Sequence, residues 1–302
     1  ASFTINTKRG IQLDASNSTI NVDASTTLTY AGIIAHQGSE TNNGYTKSGG
    51  GTFALSGDST YSGVTTISAG VITIAHAGSL GSTSGATSIT SGAALSISGG
   101  ITVAEPITVN GTGVSSGGAI VFTANDNTYS GAITLGSTST IVSTGGAQTI
   151  SATVNGGQAL TITANGNLIV SGAVGGSKDL SSYAVTTTGS ASQTFSANVE
   201  TTGNQTYTAA GGIVTSVART FDSSSGTVNF ASALSGNNNV TVTGNADIDG
   251  AITDIAVLSI TGTANIGADI TSSDTQTYGD AVTLSSNVTL TTSSDVVTFD
   301  ST

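Results

Sequence analysis

The sequence contains no cysteine, methionine or tryptophan among its 302 residues, and it has a single proline. Without cysteine the chain cannot form a disulfide framework, a thiolate metal site or a cysteine nucleophile. Charged residues make up only 7% of the chain, against roughly 25% in ordinary domains. A disordered segment would be rich in charge or in proline, so this composition is not that of a typical disordered chain.

Positive charge is scarce as well, because 5 Lys and Arg residues stand against 17 Asp and Glu residues, for a net charge of −12. Such a chain repels phosphate backbones and cannot build a basic groove, so we expect no nucleic-acid partner. No window approaches the roughly 18 apolar residues of a transmembrane helix, so we expect no membrane insertion of this segment. We expect any signal peptide to lie outside this sequence, which does not begin with a charged and then apolar leader.

The sequence does contain many very short apolar runs. Phe53-Ala54-Leu55 and Ile72-Thr73-Ile74 place every second side chain on one face, and glycines such as Gly57 and Gly63 interrupt the runs after a few residues. These runs are too short for ordinary helices, and aromatic residues, at 5%, are too few for a usual sandwich core. The pattern predicts an all-β chain whose short strands stack on one another.

Residues 47–82 carry a resemblance to a known family. Its motifs are Lys47-Ser48-Gly49-Gly50-Gly51-Thr52-Phe53-Ala54-Leu55-Ser56-Gly57, Ser59-Thr60-Tyr61-Ser62-Gly63-Val64-Thr65-Thr66-Ile67, Ala69-Gly70-Val71 and Ala77-Gly78-Ser79-Leu80-Gly81-Ser82. This stretch resembles the passenger-associated repeat of bacterial autotransporters, and the likeness extends over residues 1–100. The chain departs from the family pattern at Glu40-Thr41-Asn42-Asn43, where a short glycine-rich turn is usual.

The resemblance implies a fold and a location. In that family the repeat is part of a secreted, right-handed parallel β-helix (β-solenoid) and carries no catalytic residue. We therefore expect one continuous solenoid over residues 1–302, in an extracellular or bacterial cell-surface protein. Tandem β-sandwich modules are a structural alternative, although they would be expected to show larger core residues and linkers.

Residues 101–302 resemble, more loosely, the repeats of giant bacterial surface and adhesin proteins. Four Thr-Tyr pairs, at Tyr61, Tyr129, Tyr207 and Tyr278, align as degenerate repeats of about 70–80 residues. We hypothesise that these tyrosines occupy equivalent places near a corner of successive repeats. Pro106 is expected at a strand start or a corner, because proline cannot donate to a β-ladder.

Seven central apolar residues are predicted to point inward. Because a buried charge is costly, Leu284→Asp is predicted to cost several kcal/mol. The seven are Ile67, Ile74, Leu135, Ile162, Val242, Ile260 and Leu284.

The sharpest local motif is a weak calcium candidate. Asn245, Asp247 and Asp249 place three oxygen-bearing side chains at alternate positions before a glycine, as a calcium loop does. The motif begins with Asn instead of Asp, and Ala256 stands where the bidentate Glu belongs. In a strand, the same alternation would simply point the three polar side chains to solvent and Ile248 inward. Calcium is thus the one cofactor considered, and a solvated strand is the favoured interpretation.

No catalytic residue is predicted. His36 and His76 have no nucleophile at a recognisable spacing, and the carboxylates are scattered near turns, with Lys178-Asp179 an adjacent exposed pair. We therefore expect no enzyme. Because parallel β-helices also serve as pectate lyases and related enzymes, a polysaccharide-active lyase or hydrolase is kept as the alternative.

The expected role is structural and adhesive. The strand pattern runs from Phe3 to Phe299 without a capping segment, which predicts open edges. Either this sequence is a fragment of a longer solenoid, or copies associate end to end into a filament, and nearly uncharged flanks favour lateral association. Asn- and Thr-rich stretches such as Asn237-Asn238-Asn239 are explained by turns and stacked ladders, with contact to a host-surface or matrix glycan or protein as the functional reading.

Overall fold

The computed structural model describes residues 1–14, 18–38, 42–123 and 126–301 of the chain. Glu40 and Thr41 of the inserted segment lie outside the described residues. The described residues are almost entirely β-strands and turns, and their contacts divide the chain into unit 1 (Ala1–Ala152) and unit 2 (Thr153–Thr302). No helix in the described part of the chain is long and apolar enough to cross a membrane.

Among its described residues, unit 1 contains seventeen strands and a short 3-10 turn at Val114–Ser116. The strands are β1 (Phe3–Ile5), β2 (Ile11–Leu13), β3 (Ser18–Asn21), β4 (Thr27–Tyr30), β5 (Ile34–His36), β6 (Tyr45–Ser48), β7 (Thr52–Leu55), β8 (Thr65–Ile67), β9 (Gly70–Ile74), β10 (Thr87–Ile89), β11 (Ala93–Ile97), β12 (Thr102–Val103), β13 (Ile107–Gly111), β14 (Ile120–Phe122), β15 (Thr128–Tyr129), β16 (Ile133–Ser143) and β17 (Gln148–Ile150).

In the described part of unit 2 there are nineteen strands. They are β18 (Val154–Asn155), β19 (Ala159–Ala164), β20 (Leu168–Val170), β21 (Ser182–Thr187), β22 (Gln193–Phe195), β23 (Val199–Thr201), β24 (Gln205–Ala209), β25 (Ile213–Thr215), β26 (Arg219–Phe230), β27 (Leu234–Ser235), β28 (Val240–Ile248), β29 (Ile252–Ile255), β30 (Leu258–Ile260), β31 (Ala264–Ile266), β32 (Ile270–Ser272), β33 (Gln276–Tyr278), β34 (Val282–Leu284), β35 (Leu290–Thr292) and β36 (Val297–Phe299).

Each unit is a parallel β-solenoid, because successive turns stack their parallel strands in three series. In unit 1 the first series holds β3, β6, β8, β10, β13 and the start of β16. The second holds β1, β4, β7, β9, β11, β14 and the end of β16. The third holds β2 and β5, and then β12, β15 and β17. The predicted all-β solenoid class is confirmed.

Unit 2 repeats this arrangement with strands of its own. Its first series runs from β23 through the starts of β26 and β28 to β30, β33 and β36. Its second runs from β19 through β21, β24 and the ends of β26 and β28 to β31 and β34. Its third consists of β20, β22, β25, β27, β29, β32 and β35.

The short strands form because apolar and hydroxyl side chains alternate along them. In β9 the burial pattern alternates strictly, with Ile72 and Ile74 inside and Val71 and Thr73 outside. In-register pairing then places apolar side chains of successive turns directly above one another. Ile67, Ile89 and Val109 form one such buried column. Each column removes apolar surface from water at about 25 cal/mol per Å², which is the main stabilising term of such a narrow core.

The tyrosines belong to this interior. All 7 are at most 1% exposed, and in unit 2 the ring of Tyr207 stacks on Phe230 with 5.5 Å between ring centroids. The hypothesis that four of them occupy equivalent places is wrong. Tyr207 lies in the second series of unit 2 and Tyr278 in the first. Register partners lie between 17 residues (Ile255 and Ser272) and 28 residues (Gly111 and Ser139) apart, so a spacing of about 70 residues need not return to the same series.

Six of the seven residues predicted to point inward are buried, and Leu284 is the exception. Leu284 pairs in register with the buried Ile266, so its strand position faces the interior column as expected. It is nevertheless 55% exposed, because no described strand covers β34 on the side away from β31. The predicted penalty for Leu284→Asp is therefore wrong, since that aspartate would remain in water.

The pair Leu284→Asp and Ile266→Asp tests this assignment. We expect Ile266→Asp to lower the free energy of unfolding by about 4 kcal/mol or more, because it buries an unpaired charge. We expect Leu284→Asp to change it by less than about 1 kcal/mol, as for other exposed positions. Urea titrations of both variants measure the two values, and equal losses would contradict the different environments of the two side chains.

Candidate functional site

The calcium candidate lies on the outer surface of unit 2. Asn245 and Asp247 are in β28 and Asp249 follows it, and all three face outward while Ala246 and Ile248 are buried. Asn245 and Asp247 line a shallow groove of about 280 Å³, whereas Asp249 is not one of its lining residues. The strand geometry therefore matches the solvated-strand interpretation.

Neighbouring turns supply hydrogen-bond donors to the carboxylates of this candidate. Asp247 accepts one bond at Oδ2 from Asn229 Nδ2 (2.8 Å) and one at Oδ1 from Asn265 Nδ2 (2.8 Å). The same Asn229 nitrogen donates to Asp249 Oδ2 at 2.9 Å, so an amide group stands between the two acidic side chains. Because Asn229, Asp247 and Asn265 are register partners, they form an Asn-Asp-Asn ladder.

The other parts of a calcium loop do not assemble here. Asn245 Oδ1 accepts bonds from the backbone nitrogen (3.0 Å) and the hydroxyl (2.9 Å) of Thr263. Ala256 comes after β29, which belongs to the third series and not to the series of Asp247. Among the described residues, no group of three or more His, Asp or Glu side chains is placed to hold a metal ion.

Replacing Asn229 by aspartate tests how the amide holds this ladder. Asn229→Asp removes the donor shared by Asp247 and Asp249 and adds a third carboxylate, so we expect a loss of about 1–3 kcal/mol in low salt. Added calcium should restore part of that stability, because three converging carboxylates are oxygen ligands that Ca²⁺ prefers. Thermal melts with and without calcium measure both effects. Asn229→Ala is the control, since it loses the donor without adding charge, and a calcium response in that variant would contradict the explanation.

A second acidic column lacks such donors. Glu200 and Asp222 are register partners in the first series of unit 2, and Asp179 precedes Leu180, which bridges to Thr201. Like charges directly opposite one another on a sheet destabilise it. Burial, followed by the charge of Asp179, raises the pKa of Asp222 above its ordinary value. The column is a place of electrostatic strain, in contrast to the Asn-Asp-Asn ladder.

The two histidines lie at turns and strand ends. His76 Nδ1 is 3.7 Å from Asp58 Oδ1, with both side chains largely exposed, and it accepts a hydrogen bond from the backbone nitrogen of Gly78. His36 ends β5, in register with Leu13. Neither histidine is brought beside a nucleophilic side chain by a described hydrogen bond. Lys178 and Asp179 are exposed, as expected for that pair.

The sequence reading missed the polar groups inside the solenoid. Lys47 is fully buried, and its Nζ donates to the carbonyl oxygens of Gly49 (2.6 Å), Gly51 (2.6 Å) and Ala69 (2.8 Å). Burial lowers the pKa of Lys47 to about 8, so the amine is charged at neutral pH and has three donors for three acceptors. The glycine-rich run that directly follows Lys47 in the sequence was the available indication that its amine binds backbone carbonyls.

A Gln-Thr-Tyr motif forms a second interior polar device. In unit 2 the hydroxyl of Tyr207 donates to Gln205 Oε1 (2.7 Å), and that of Tyr278 donates to Gln276 Oε1 (3.0 Å). Gln205 Nε2 donates to the backbone carbonyl of Asp222 at 2.6 Å, and Gln276 Nε2 donates to the backbone carbonyl of Thr291 at 2.8 Å. Both glutamines are fully buried, so these bonds satisfy groups that would otherwise be costly. The repeated tripeptide was the available signal.

The comparisons with known proteins give one match. The family model of the passenger-associated-transport-repeat matches residues 46–74, which include Lys47 and the strands β7, β8 and β9. No curated protein and no solved structure is significantly similar to the chain. The repeat match and the β-solenoid fold together support a similarity to autotransporter passenger β-helices. That repeat family implies a secreted or cell-surface protein.

Proposed function

We propose that this chain is an autotransporter passenger-type β-helix with a structural and adhesive role, and that its terminal strand edges join further β-structure, either more turns of the same solenoid or, end to end, another copy in a fibre. The observation that carries the proposal is the presence of uncovered apolar strand edges. In unit 2, β34, β35 and β36 each pair with the preceding strand of their series. Their outer edges present unpaired backbone groups next to an apolar interior, which favours addition of a further strand.

Exposure of large side chains supports the proposal at this edge. Leu284, Val296 and Phe299 are at least half exposed, and an apolar groove of about 400 Å³ lies between β34, β35 and β36. In the strand series, Leu284 and Phe299 follow the buried residues Ile266 and Tyr278. A further turn would therefore cover side chains of the same kind as those inside the unit.

Unit 1 has a comparable edge at β1. Phe3 is 65% exposed, whereas Leu28, its register partner in β4, has β1 stacked on one side of it. A groove of about 580 Å³ runs along this edge from Phe3 to Ile11. An association between the β1 edge of one copy and the β36 edge of another joins two different surfaces. Such heterologous contacts do not close on themselves unless the rotation allows it, so they build filaments.

The test is particle size against concentration for the chain, by light scattering and electron microscopy. We expect the mean particle length to grow with concentration. The double variant Leu284→Lys/Phe299→Lys places charge on one edge and should abolish growth, whereas Val64→Lys, at an exposed site that is not on an edge strand, should leave it unchanged. A monodisperse monomer at high concentration would refute end-to-end association.

The adhesive part of the proposal is supported by the outer surface of unit 1. Register stacking aligns outward hydroxyl side chains on successive turns of the first series, namely Thr46, Thr66, Ser88, Thr108 and Thr134. A neutral polar surface of this kind suits a host-surface or matrix glycan or protein. Binding to glycan arrays and to matrix-coated surfaces tests this part separately from fibre growth, and the absence of binding in both would remove the adhesive role.

We propose no catalytic role. In support, the carboxylates of the candidate calcium site accept bonds from Asn229 and Asn265, and the acidic column at Asp222 has no basic side chain in register with it. Release of reducing or unsaturated sugar ends from acidic and neutral polysaccharides would contradict this and favour the polysaccharide-active alternative.

A further inference from the structure

Glu105 places a carboxyl group inside unit 1 without a counter-charge. The residue is 3% exposed, and its Oε1 accepts a hydrogen bond of 3.4 Å from the hydroxyl of Thr87. Its Oε2 is buried and has no hydrogen-bond partner among the described residues. An ionised carboxylate is strongly disfavoured in such surroundings, because the group is removed from bulk solvent and no basic side chain among the described residues forms an ion pair with it.

The titratable side chains that face Glu105 are tyrosines. The hydroxyl of Tyr129 in β15 donates to the backbone carbonyl of Glu105 at 2.7 Å. Burial is the main cause that raises the pKa of both Tyr61 and Tyr129, and the charge of Glu105 adds to it. Tyr45 in β6 packs edge-on against Tyr61, with 5.5 Å between ring centroids. The amine of Lys47, also in β6, is held by three backbone carbonyls.

The segment that carries Glu105 is weakly held on one side. It follows β12, a strand of two residues that pairs with β15 through Thr102 and Val103. β12 is the edge strand of its sheet, so no described strand pairs with it on the side away from β15. Gly99 and Gly100, both at positive φ, precede β12, and Pro106 follows Glu105. A short edge strand between two glycines and a proline is an element that can open locally.

We propose that Glu105 is a proton-dependent latch of unit 1: the protonated side chain keeps β12 and the Pro106 corner packed, and loss of the proton drives this corner open. Opening moves the carboxylate into water, where its charge is solvated. The side chain of Val103, which is fully buried beside it, becomes exposed in the same movement. The device would loosen one corner of the solenoid at alkaline pH while the stacked strands of the first and second series remain paired.

The direction of the pH dependence follows from linkage. Burial raises the pKa of Glu105 from 4.5 to about 8, while the Thr87 hydrogen bond acts in the opposite direction. A group whose pKa is raised in the closed state binds more protons there than in the open state, so closure is favoured fully below pH 4.5 and weakens as pH rises to about 8. The opening equilibrium constant should rise roughly tenfold per pH unit within that window and level off above it.

Amide hydrogen exchange measures this opening residue by residue. The backbone nitrogens of Thr128 and Ser130 donate to the carbonyls of Ile101 and Val103, so their protection reports the β12 edge. Between pH 5.5 and 7.5 we expect their opening constants, corrected for intrinsic exchange, to rise about 100-fold in the natural protein. In Glu105→Gln, which keeps the size of the side chain but cannot ionise, they should stay constant. The amide of Val71, bonded to Gly51 in the second series, should stay constant in both proteins.

Thr87→Val gives a second test if Glu105→Gln does not fold. It removes the hydroxyl that donates to the carboxyl group of Glu105, and this hydrogen bond lowers the pKa of that group. The pH at which the opening constants of Thr128 and Ser130 level off should therefore be higher than in the natural protein. The latch is refuted if the natural protein and Glu105→Gln show the same pH dependence at Thr128 and Ser130. It is also refuted if Val71 loses protection in parallel, because the opening would then not be confined to this corner.

Discussion

Replacing Lys47 by methionine is expected to lower the free energy of unfolding by about 3 kcal/mol. Methionine fills most of the same volume but donates no hydrogen bond, so the carbonyl oxygens of Gly49 and Ala69 lose the ammonium donor in a buried place. The carbonyl of Gly51 keeps one partner, since it also accepts from the backbone nitrogen of Val71. Urea titration followed by circular dichroism measures the loss.

Lys178→Met is the matched control for this prediction. Lys178 is exposed and its side chain has no described ion pair, so its replacement should change stability by at most about 0.5 kcal/mol. Equal, small losses in both variants would contradict the clamp at Lys47. A large loss confined to Lys47→Met would show that the family-matched repeat contains a buried charge on which its turns depend.

Replacing Gly57 by alanine should be of similar effect, at about 3 kcal/mol or more. A Cβ atom at position 57 would overlap the backbone carbonyl oxygen of Gly32 in the preceding turn. The obstacle is backbone and not the end of a flexible side chain, so the two turns would have to separate and weaken the β4–β7 ladder. The expected result is a lower midpoint in urea and faster exchange of the β7 amides.

Gly145→Ala provides the comparison, because a Cβ atom there meets nothing within 4 Å and the residue does not need a positive φ. Alanine at that site should leave stability unchanged or raise it slightly, since it restricts the unfolded chain. If Gly57→Ala were as stable as Gly145→Ala, the close approach of the turns at Gly32 and Gly57 would be disproved.

The strands of the solenoid could be predicted from the sequence because their signal is local. In runs such as Gly70–Ile74, alternation of apolar and hydroxyl residues fixes which side chains face inward, whatever the neighbours are. The same local rule placed Asn245, Asp247 and Asp249 outward and Ile248 inward. Burial of Ile67 and Val242 followed for the same reason.

Position along the stack could not be predicted in this way. Leu284 has the alternation of an interior residue, yet its exposure depends on whether another turn covers it. Tyr207 and Tyr278 share a local Gln-Thr-Tyr motif but lie in different series, because the length of a turn varies, with register partners from 17 to 28 residues apart. Insertions and deletions of a few residues change which series every later strand joins. Their cumulative effect along the chain cannot be inferred from a local sequence pattern.

The sequence by itself determined the all-β class, the inward and outward faces of the strands and the resemblance of residues 46–74 to a passenger repeat. Only the tertiary structure decided the partners of the buried polar groups. Lys47 is clamped by carbonyls, Asp247 lies between two asparagines, and Glu105 has no counter-charge. The contacts between turns, such as Lys47 with Ala69 and Asp247 with its two asparagines, join residues 18 to 22 positions apart in sequence. They depend on the exact register of parallel turns, and register is a property of the stacked whole.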